Sequence, residues 1–297
     1  MKKAGMSVGL LLFAAALGLA DVQAVVETAD QLHKAGDYER ARSLLESSLG
    51  QVAGGAERAE LYWRLARAWL KLGDEAEDRG VDEKELLGYF ERGEAEAQKA
   101  IDADAGNHLG YYWKSANIGR WGQVKGILNA LAKAKPMRDL LHQALLAEPE
   151  HADSYYVLGQ LYEQVPGGLS FGDKDYAVSL GRKAVDLHER QVKAGLEDEI
   201  NYDFYTELSK HLWERNRSSS RRSREQQKIA GKYASIADPM EKNFYYEAAV
   251  ALGDMSDREE ALQLINRVIR ELERLPGRTS SQNDDLQEAR EVLESWK

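Results

Sequence analysis

The residues best suited to binding chemistry are four side chains in the middle of the chain, Trp113, Asn117, Arg120 and Trp121. Positions three or four residues apart share one face of a helix, so their spacing predicts a polar and aromatic helix face. Aromatic walls with a few convergent polar groups are typical of ligand pockets. Trp and Arg are also frequent hot-spot residues at protein interfaces. The alternative is that these side chains pack between helices.

Motifs for catalysis or metal binding are weak. The six histidines include no His-x-x-x-His pair and no zinc-type spacing. Residues 167–174 fit a phosphate-binding loop poorly, because Asp173 stands where such a loop has its lysine. The chain has no cysteine, which excludes disulfides and thiolate metal sites. We therefore expect a protein that is not an enzyme, with no catalytic residue, no metal and no cofactor.

The net charge of the chain limits which kinds of partner it can bind. The formal net charge is -10 over 297 residues. A non-specific nucleic-acid binder needs a positively charged surface, so we expect no nucleic-acid partner. One short basic segment, residues 217–224, reads Arg-Ser-Ser-Ser-Arg-Arg-Ser-Arg. It is either a solvated loop or helix end, or a contact for an acidic partner or an anionic membrane surface.

The N-terminus has the pattern of a secretory signal. Lys2 and Lys3 precede a short apolar run at residues 8–19, and small residues follow near Ala24. The run is shorter than the roughly 20 residues of a membrane-spanning helix. We expect a signal peptide at residues 1–24, cleavage near Ala24, a mature domain at residues 25–297 with no stable membrane span, and a periplasmic or secreted location. The alternative is an uncleaved anchor.

From residue 25 onward the pattern is helical. Apolar residues recur at helical spacing and are interrupted by Gly, Asp or Asn. Similar units also recur along the chain, which is typical of a repeat architecture. Three consecutive units carry extra segments at residues 75–93, 126–136 and 165–174. We expect these segments to lie on one face as inserted loops.

The units resemble tetratricopeptide repeats in their pattern of an aromatic, a Leu-Gly or Leu-Ala pair, a Tyr and later alanines. Tyr155, Gly159, Tyr162 and Ala177 illustrate the match, which covers nearly all of residues 25–275. The resemblance implies an all-α, right-handed α-solenoid of about six helical hairpins with inserted loops and a C-terminal helix. In such a fold the first helix of each hairpin lines a groove. The groove residues that this implies are Trp63, Arg67, Trp113, Asn117, Arg120, Trp121, Tyr156, Gln160, Lys210 and Trp213.

A narrower similarity is to the tetratricopeptide component associated with TRAP transporters, carried by the Pro-Gly-Gly turn at residues 166–168 and by Asp173, Lys174 and Ala177. It implies an extracytoplasmic accessory protein that binds the receptor subunit of the transporter or a small hydrophobic ligand, and that forms a homo-oligomer. The third unit also resembles the regulator-of-microtubule-dynamics proteins, but the predicted signal peptide argues against a cytoskeletal role. Two alternatives stay open: a structural envelope protein whose groove is filled by its own insertions, and a helical hydrolase of envelope polymers.

Overall fold

The computed structural model of the chain describes residues 22–168 and 170–297. The predicted signal peptide lies almost wholly outside this part. Within it, the regular structure is helical apart from isolated bridges at Gly167. The predicted all-α class of helical hairpins is thus confirmed. In the described ranges we find no helix that combines the length and the apolar character needed to cross a membrane.

The chain divides into two compact units, Met1–Ala147 and Glu148–Lys297. The first described helix, α1, covers residues 22–34. The other helices of unit 1 are α2 (Tyr38–Ser48), α3 (Gly55–Asp78), α4 (Glu83–Ala103), α5 (His108–Lys125) and α6 (Ile127–Ala147), with a short 3-10 turn at Leu49–Gln51.

Unit 2 begins with α7 (Ala152–Gln164) and ends with α13 (Ser280–Ser295). Between them lie α8 (Lys174–Lys193), α9 (Asp203–Arg215), α10 (Ser219–Ser235), α11 (Pro239–Asn243) and α12 (Asp257–Arg274), with a 3-10 turn at Tyr246–Ala249.

Consecutive helices pair as antiparallel hairpins. Gly55 at the start of α3 lies against Ala103 at the end of α4, while Gly73 meets Phe90 further along the pair. The next pair is also in close contact at a glycine: Gly122 near the end of α5 lies against Ala130 near the start of α6. In both hairpins a small residue lets the two backbones approach closely.

Two of the three extra segments do not form loops. Residues 75–93 instead extend α3 and α4 to 24 and 21 residues, and the Asp82 side chain caps α4 by accepting from the Glu85 N–H at 2.9 Å. Residues 126–136 belong almost entirely to α6, which includes Pro136. The segment at residues 165–174 does form a loop, and the side chain of Asp173 accepts from the Asp175 N–H at 2.8 Å to cap α8.

The sequence predicts about six hairpins, but no hairpin begins at Tyr245. That position is followed by a 3-10 turn, and α12 packs against α9 instead. The reason is the apolar stripe of α12, since Ala261, Ile265 and Val268 recur at helical spacing and are fully buried. By contrast, the only buried residue of α10 is Arg222, so α10 has no apolar face with which to build a hairpin. The described part therefore contains four hairpins of consecutive helices, from α1–α2 to α7–α8, followed by α9 packed against α12 and by α13.

We predict that Gly73→Ala destabilises unit 1 by about 1–2 kcal/mol. The added Cβ would lie 2.6 Å from the Phe90 ring, and overpacking of this kind outweighs the gain in helix propensity. The matched control is Gly88→Ala in α4, where an added Cβ meets nothing within 4 Å. That variant should gain about 0.5–1 kcal/mol. Urea unfolding followed by circular dichroism measures both, and equal midpoints for the two variants would contradict the close crossing.

Candidate binding surface

Charged side chains link the first helices of the three hairpins of unit 1. Asp30 on α1 accepts from Arg64 Nη2 at 2.8 Å and also pairs with Arg67, both on α3. Further along α3, Asp74 accepts from Arg120 Nε on α5 at 2.8 Å. We call this set the charge ladder. Its members are Asp30, Arg64, Arg67, Lys71, Asp74, Glu77 and Arg120.

The ladder is partly buried and rests on aromatic rings. The guanidinium groups of Arg64 and Arg67 lie 4.0 and 5.1 Å from the centre of the Trp63 ring. Such cation–π contacts add to the ion pairs. Burial acts to raise the pKa of Asp30, but the hydrogen bonds and charges of Arg64 and Arg67 outweigh it and lower that pKa overall. Asp30 is therefore held as a carboxylate.

The pKa of a histidine on α1, His33, is also affected by the charges of the ladder. Burial, followed by the positive charges of Arg67 and Lys71, lowers the pKa of His33 to about 3, while Asp30 opposes the shift. The imidazole packs against the Tyr38 ring with the centroids 5.1 Å apart. His33 is thus neutral in the folded protein at neutral pH, which gives this surface a measurable pH dependence.

The four residues that the sequence singled out on α5 lie at the junction with the preceding hairpin. Asn117 is fully buried, and its Nδ2 donates to the backbone carbonyls of Trp113 at 2.8 Å and Ala66 at 3.2 Å. The indole N–H of Trp121 donates to Glu91 on α4 at 3.1 Å. These contacts stack one hairpin on the next. A role for the four side chains in ligand binding stays a prediction.

The other two predicted residues of unit 1 lie on α3. The Trp63 side chain packs into an apolar cluster, and Arg67 belongs to the charge ladder. Both therefore contribute to packing between helices, and their role in partner binding also stays a prediction.

The four predicted residues of unit 2 have partners of their own. The Trp213 ring stacks on Trp296 with the centroids 4.3 Å apart and the planes at 7°. Lys210 donates to Glu288 at 2.6 Å, and the Tyr156 ring packs against Phe204 on α9. Gln160 is half-buried on α7. The sequence could not indicate these partners, which come from distant segments such as α13.

The described part of the chain includes two open depressions that the sequence did not indicate. One, of about 610 Å³, lies beside α12, and its lining includes Met255, Gln263 and Arg270. The other, of about 350 Å³, lies beside α4, and its lining includes Tyr89 and Arg92. Neither is lined by any of the ten predicted groove residues, so binding of a small hydrophobic ligand at those residues stays a prediction.

The basic segment at residues 217–224 is partly drawn into unit 2. Arg222 is buried, and its Nη1 donates to the Met255 carbonyl at 2.6 Å. It belongs to a buried arginine cluster, in which Arg215 donates to Asp257 through two bonds of 2.8 Å. The members of this cluster are Arg182, Arg215, Arg222, Glu247, Asp257 and Glu260. Three positive and three negative groups balance, and Arg222 is the one of the segment's four arginines that takes part in this cluster.

Two further features bear on chemistry. Residues 168–172 read Gly-x-Ser-x-Gly, the letters of a hydrolase nucleophile motif, but they lie between two helices rather than at a strand-to-helix turn.

The structure also brings together Glu163, Glu207 and His211, whose ligand atoms lie within 4.8 Å of one another. The spacing of Glu207 and His211 on one helix was visible in the sequence, but the contribution of Glu163 from α7 was not.

Comparison with known proteins finds similarity to one family over about half of the chain. A model described as regulator of microtubule dynamics protein 1-3 matches residues 25–166, a little less than half of the chain. Regulator of microtubule dynamics protein 3 of Rattus norvegicus is 28% identical over 166 residues, which cover 55% of this chain and 33% of the rat protein. Regulator of microtubule dynamics protein 1 of Bos taurus is 28% identical over 145 residues, which cover 49% of this chain and 43% of the bovine protein. The chain thus spans less than half the length of these relatives.

Among solved structures, TTC0263, a thermophilic tetratricopeptide protein of Thermus thermophilus, is similar with a TM-score of 0.48 at 16% sequence identity. The similarity covers 78% of this chain and 100% of that chain.

These comparisons correct two predictions. The assignment as a TRAP-transporter accessory is wrong, because the family model and the relatives are regulators of microtubule dynamics. The periplasmic or secreted location is wrong for the same reason. The resemblance of the third unit to the microtubule regulators, given less weight because of the predicted signal peptide, is the one that the comparisons support. Homo-oligomer formation stays a prediction.

We predict that acidification destabilises unit 1 through His33. The pKa of this group is about 3 when folded and about 6.5 when unfolded, so the unfolded chain binds the extra proton first. The stabilisation is complete above pH 6.5 and is lost as the pH falls toward 3. Its slope approaches about 1.4 kcal/mol per pH unit. Urea midpoints at about pH 7.5 and about pH 5.5, on either side of the unfolded pKa, should differ more for the wild type than for His33→Gln. Parallel profiles would refute the assignment.

We predict that Asp257→Asn destabilises unit 2 by about 3–5 kcal/mol, because it leaves three buried arginines facing only two carboxylates and removes a partner of both Arg215 and Arg222. Asp254→Asn, a nearby change at an exposed position, should alter stability by less than about 0.5 kcal/mol. Thermal unfolding of both variants measures the difference. A wild-type melting temperature for Asp257→Asn would contradict the structural role of the cluster.

Proposed function

We propose that this protein is a protein-binding scaffold rather than an enzyme, and that it contacts its partner through the charge ladder of unit 1. The observation that carries the proposal is that three ladder side chains are fixed by ion pairs yet stay accessible. Lys71, Asp74 and Arg120 keep 40%, 30% and 27% of their side-chain surface exposed. Side chains already held in one geometry lose little conformational freedom when a partner binds.

The order of charges along the ladder gives it a direction. Basic groups at Arg64, Arg67 and Lys71 are followed along α3 by the acidic Asp74 and Glu77. A partner with the complementary order of charges would be favoured in one orientation, because like charges brought face to face cost several kcal/mol. This argument supports a protein or peptide partner with charges of both signs.

We infer that this partner belongs to the microtubule system. The ground is that the relatives matched over residues 25–166 are named regulators of microtubule dynamics, and every ladder residue falls within that range. Because the chain spans less than half of each relative, the proposal concerns binding to microtubules and not a change in their growth.

We predict that Lys71→Glu weakens microtubule binding by about tenfold. The substitution reverses a charge beside Asp74, whose carboxylate lies 3.4 Å from Lys71 Nζ, and so removes the complementarity at the centre of the ladder. The measurement is co-sedimentation of the full chain with increasing amounts of polymerised microtubules.

The matched control is Lys99→Glu on α4. Lys99 is 51% exposed and pairs with Glu96 at i−3, as Lys71 pairs with Asp74 at i+3, but it lies outside the ladder. Its binding should equal that of the wild type. Equal losses in the two variants would indicate a non-specific effect of charge and overturn the ladder as the contact surface. Absence of wild-type binding would overturn the microtubule assignment.

A further inference from the structure

We propose that Glu163, Glu207 and His211 form a binding site in unit 2 for a divalent cation of the zinc type. The two glutamates and the histidine each offer one ligand atom, and these atoms lie within 4.8 Å of one another. Carboxylate oxygen and imidazole nitrogen are ligands that zinc binds readily. This inference is independent of the charge ladder, which lies in unit 1.

The site joins two helices. Glu207 and His211 are four residues apart on α9, a spacing that places both side chains on one helix face. Glu163 comes from the end of α7 and contacts His211 Nδ1 directly. An ion held by all three groups would therefore tie α7 to α9.

The imidazole is held with one nitrogen toward the carboxylates. The His211 side chain is fully buried, and its Nε2 edge lies against two glycines. A Cβ added at Gly159 would lie 2.9 Å from Nε2, and one added at Gly181 would lie 3.0 Å from Cδ2. This packing leaves little room for the ring to turn, so Nδ1 is the nitrogen presented to Glu163 and Glu207.

Glu163 and His211 Nδ1 form a hydrogen bond in this structure, which a bound ion would replace, whereas Glu207 makes none to the ring. Glu207 Oε1 lies 3.9 Å from His211 Nδ1, which is too far for a hydrogen bond. Ligand atoms about 2.1 Å from a tetrahedral zinc are separated by about 3.4 Å. The other Glu207 oxygen is 3.1 Å from Lys210 Nζ, so Oε1 is the atom left to face the ion.

Access and charge suit a cation. The Glu163 side chain is 16% exposed, whereas those of Glu207 and His211 are 7% and 0% exposed, so an ion would enter from the Glu163 side. The two carboxylates carry the negative charge that a divalent cation would bind, and Lys210 offsets part of it at Glu207. Three protein ligands leave one coordination position for water.

The test is titration of the chelator-treated chain with ZnCl₂ in a calorimeter. We expect one ion per chain and a melting temperature that rises with the zinc concentration, because the ion binds the folded state. Bound Co²⁺ should give the visible absorption of a tetrahedral site. Glu163→Gln and His211→Gln should each weaken zinc binding by at least about 100-fold, beyond the losses typical of supporting residues.

The control is His142→Gln, which removes a histidine from unit 1 and should leave zinc binding unchanged. Glu163→Gln keeps the shape of a partly exposed side chain, so it tests the site even where His211→Gln fails to fold. Binding of less than one zinc ion per chain would overturn the proposal and leave His211 in an ion pair. Wild-type affinity in Glu163→Gln would also overturn it.

Discussion

The close approach of paired helices is the constraint on which the rest of this structure depends. A helical hairpin can bury its apolar faces only against a neighbour, and the separation of the helices is set by the residues at the crossing. Gly73, Gly93 and Gly122 occupy such crossings in unit 1. An added Cβ at Gly93 would lie 1.9 Å from Asn117 Oδ1, so the bare backbone there makes room for the buried amide. The polar contacts between hairpins exist because the backbones are this close.

The same constraint shapes the chemistry of unit 2. Gly159 and Gly181 leave space for the buried ring of His211. Without those two glycines the imidazole could not lie between its helices, and its nitrogen would not meet the carboxylates of Glu163 and Glu207. Small residues thus position functional groups as well as permitting packing.

Charged residues take two distinct roles in the two units. The charge ladder keeps part of its surface in water, where an ion pair contributes little stability but a defined geometry. The arginine cluster is buried, and burial of a charge is tolerated only when partners and hydrogen bonds replace water. Burial acts to raise the pKa of Glu247, yet Arg215, Arg182 and Arg222 lower it to about 2. The charged groups of the cluster are therefore buried and stabilise the fold, whereas some charged side chains of the ladder stay exposed and can contact a partner.

The sequence by itself determined the helical class, because apolar spacing and small residues at crossings are local signals. It also indicated tetratricopeptide-like units and the residues of α5 that carry the junction between hairpins. It did not determine which helices pair beyond Gly195: α12 packs on α9 because its apolar stripe is complete, and that choice depends on competition between distant segments. Nor could it assemble Asp30 with Arg64, or Glu163 with His211, since 34 and 48 residues separate these partners. Only the tertiary structure decided which charges meet, because an ion pair or a metal site depends on distance in space and not on spacing along the chain.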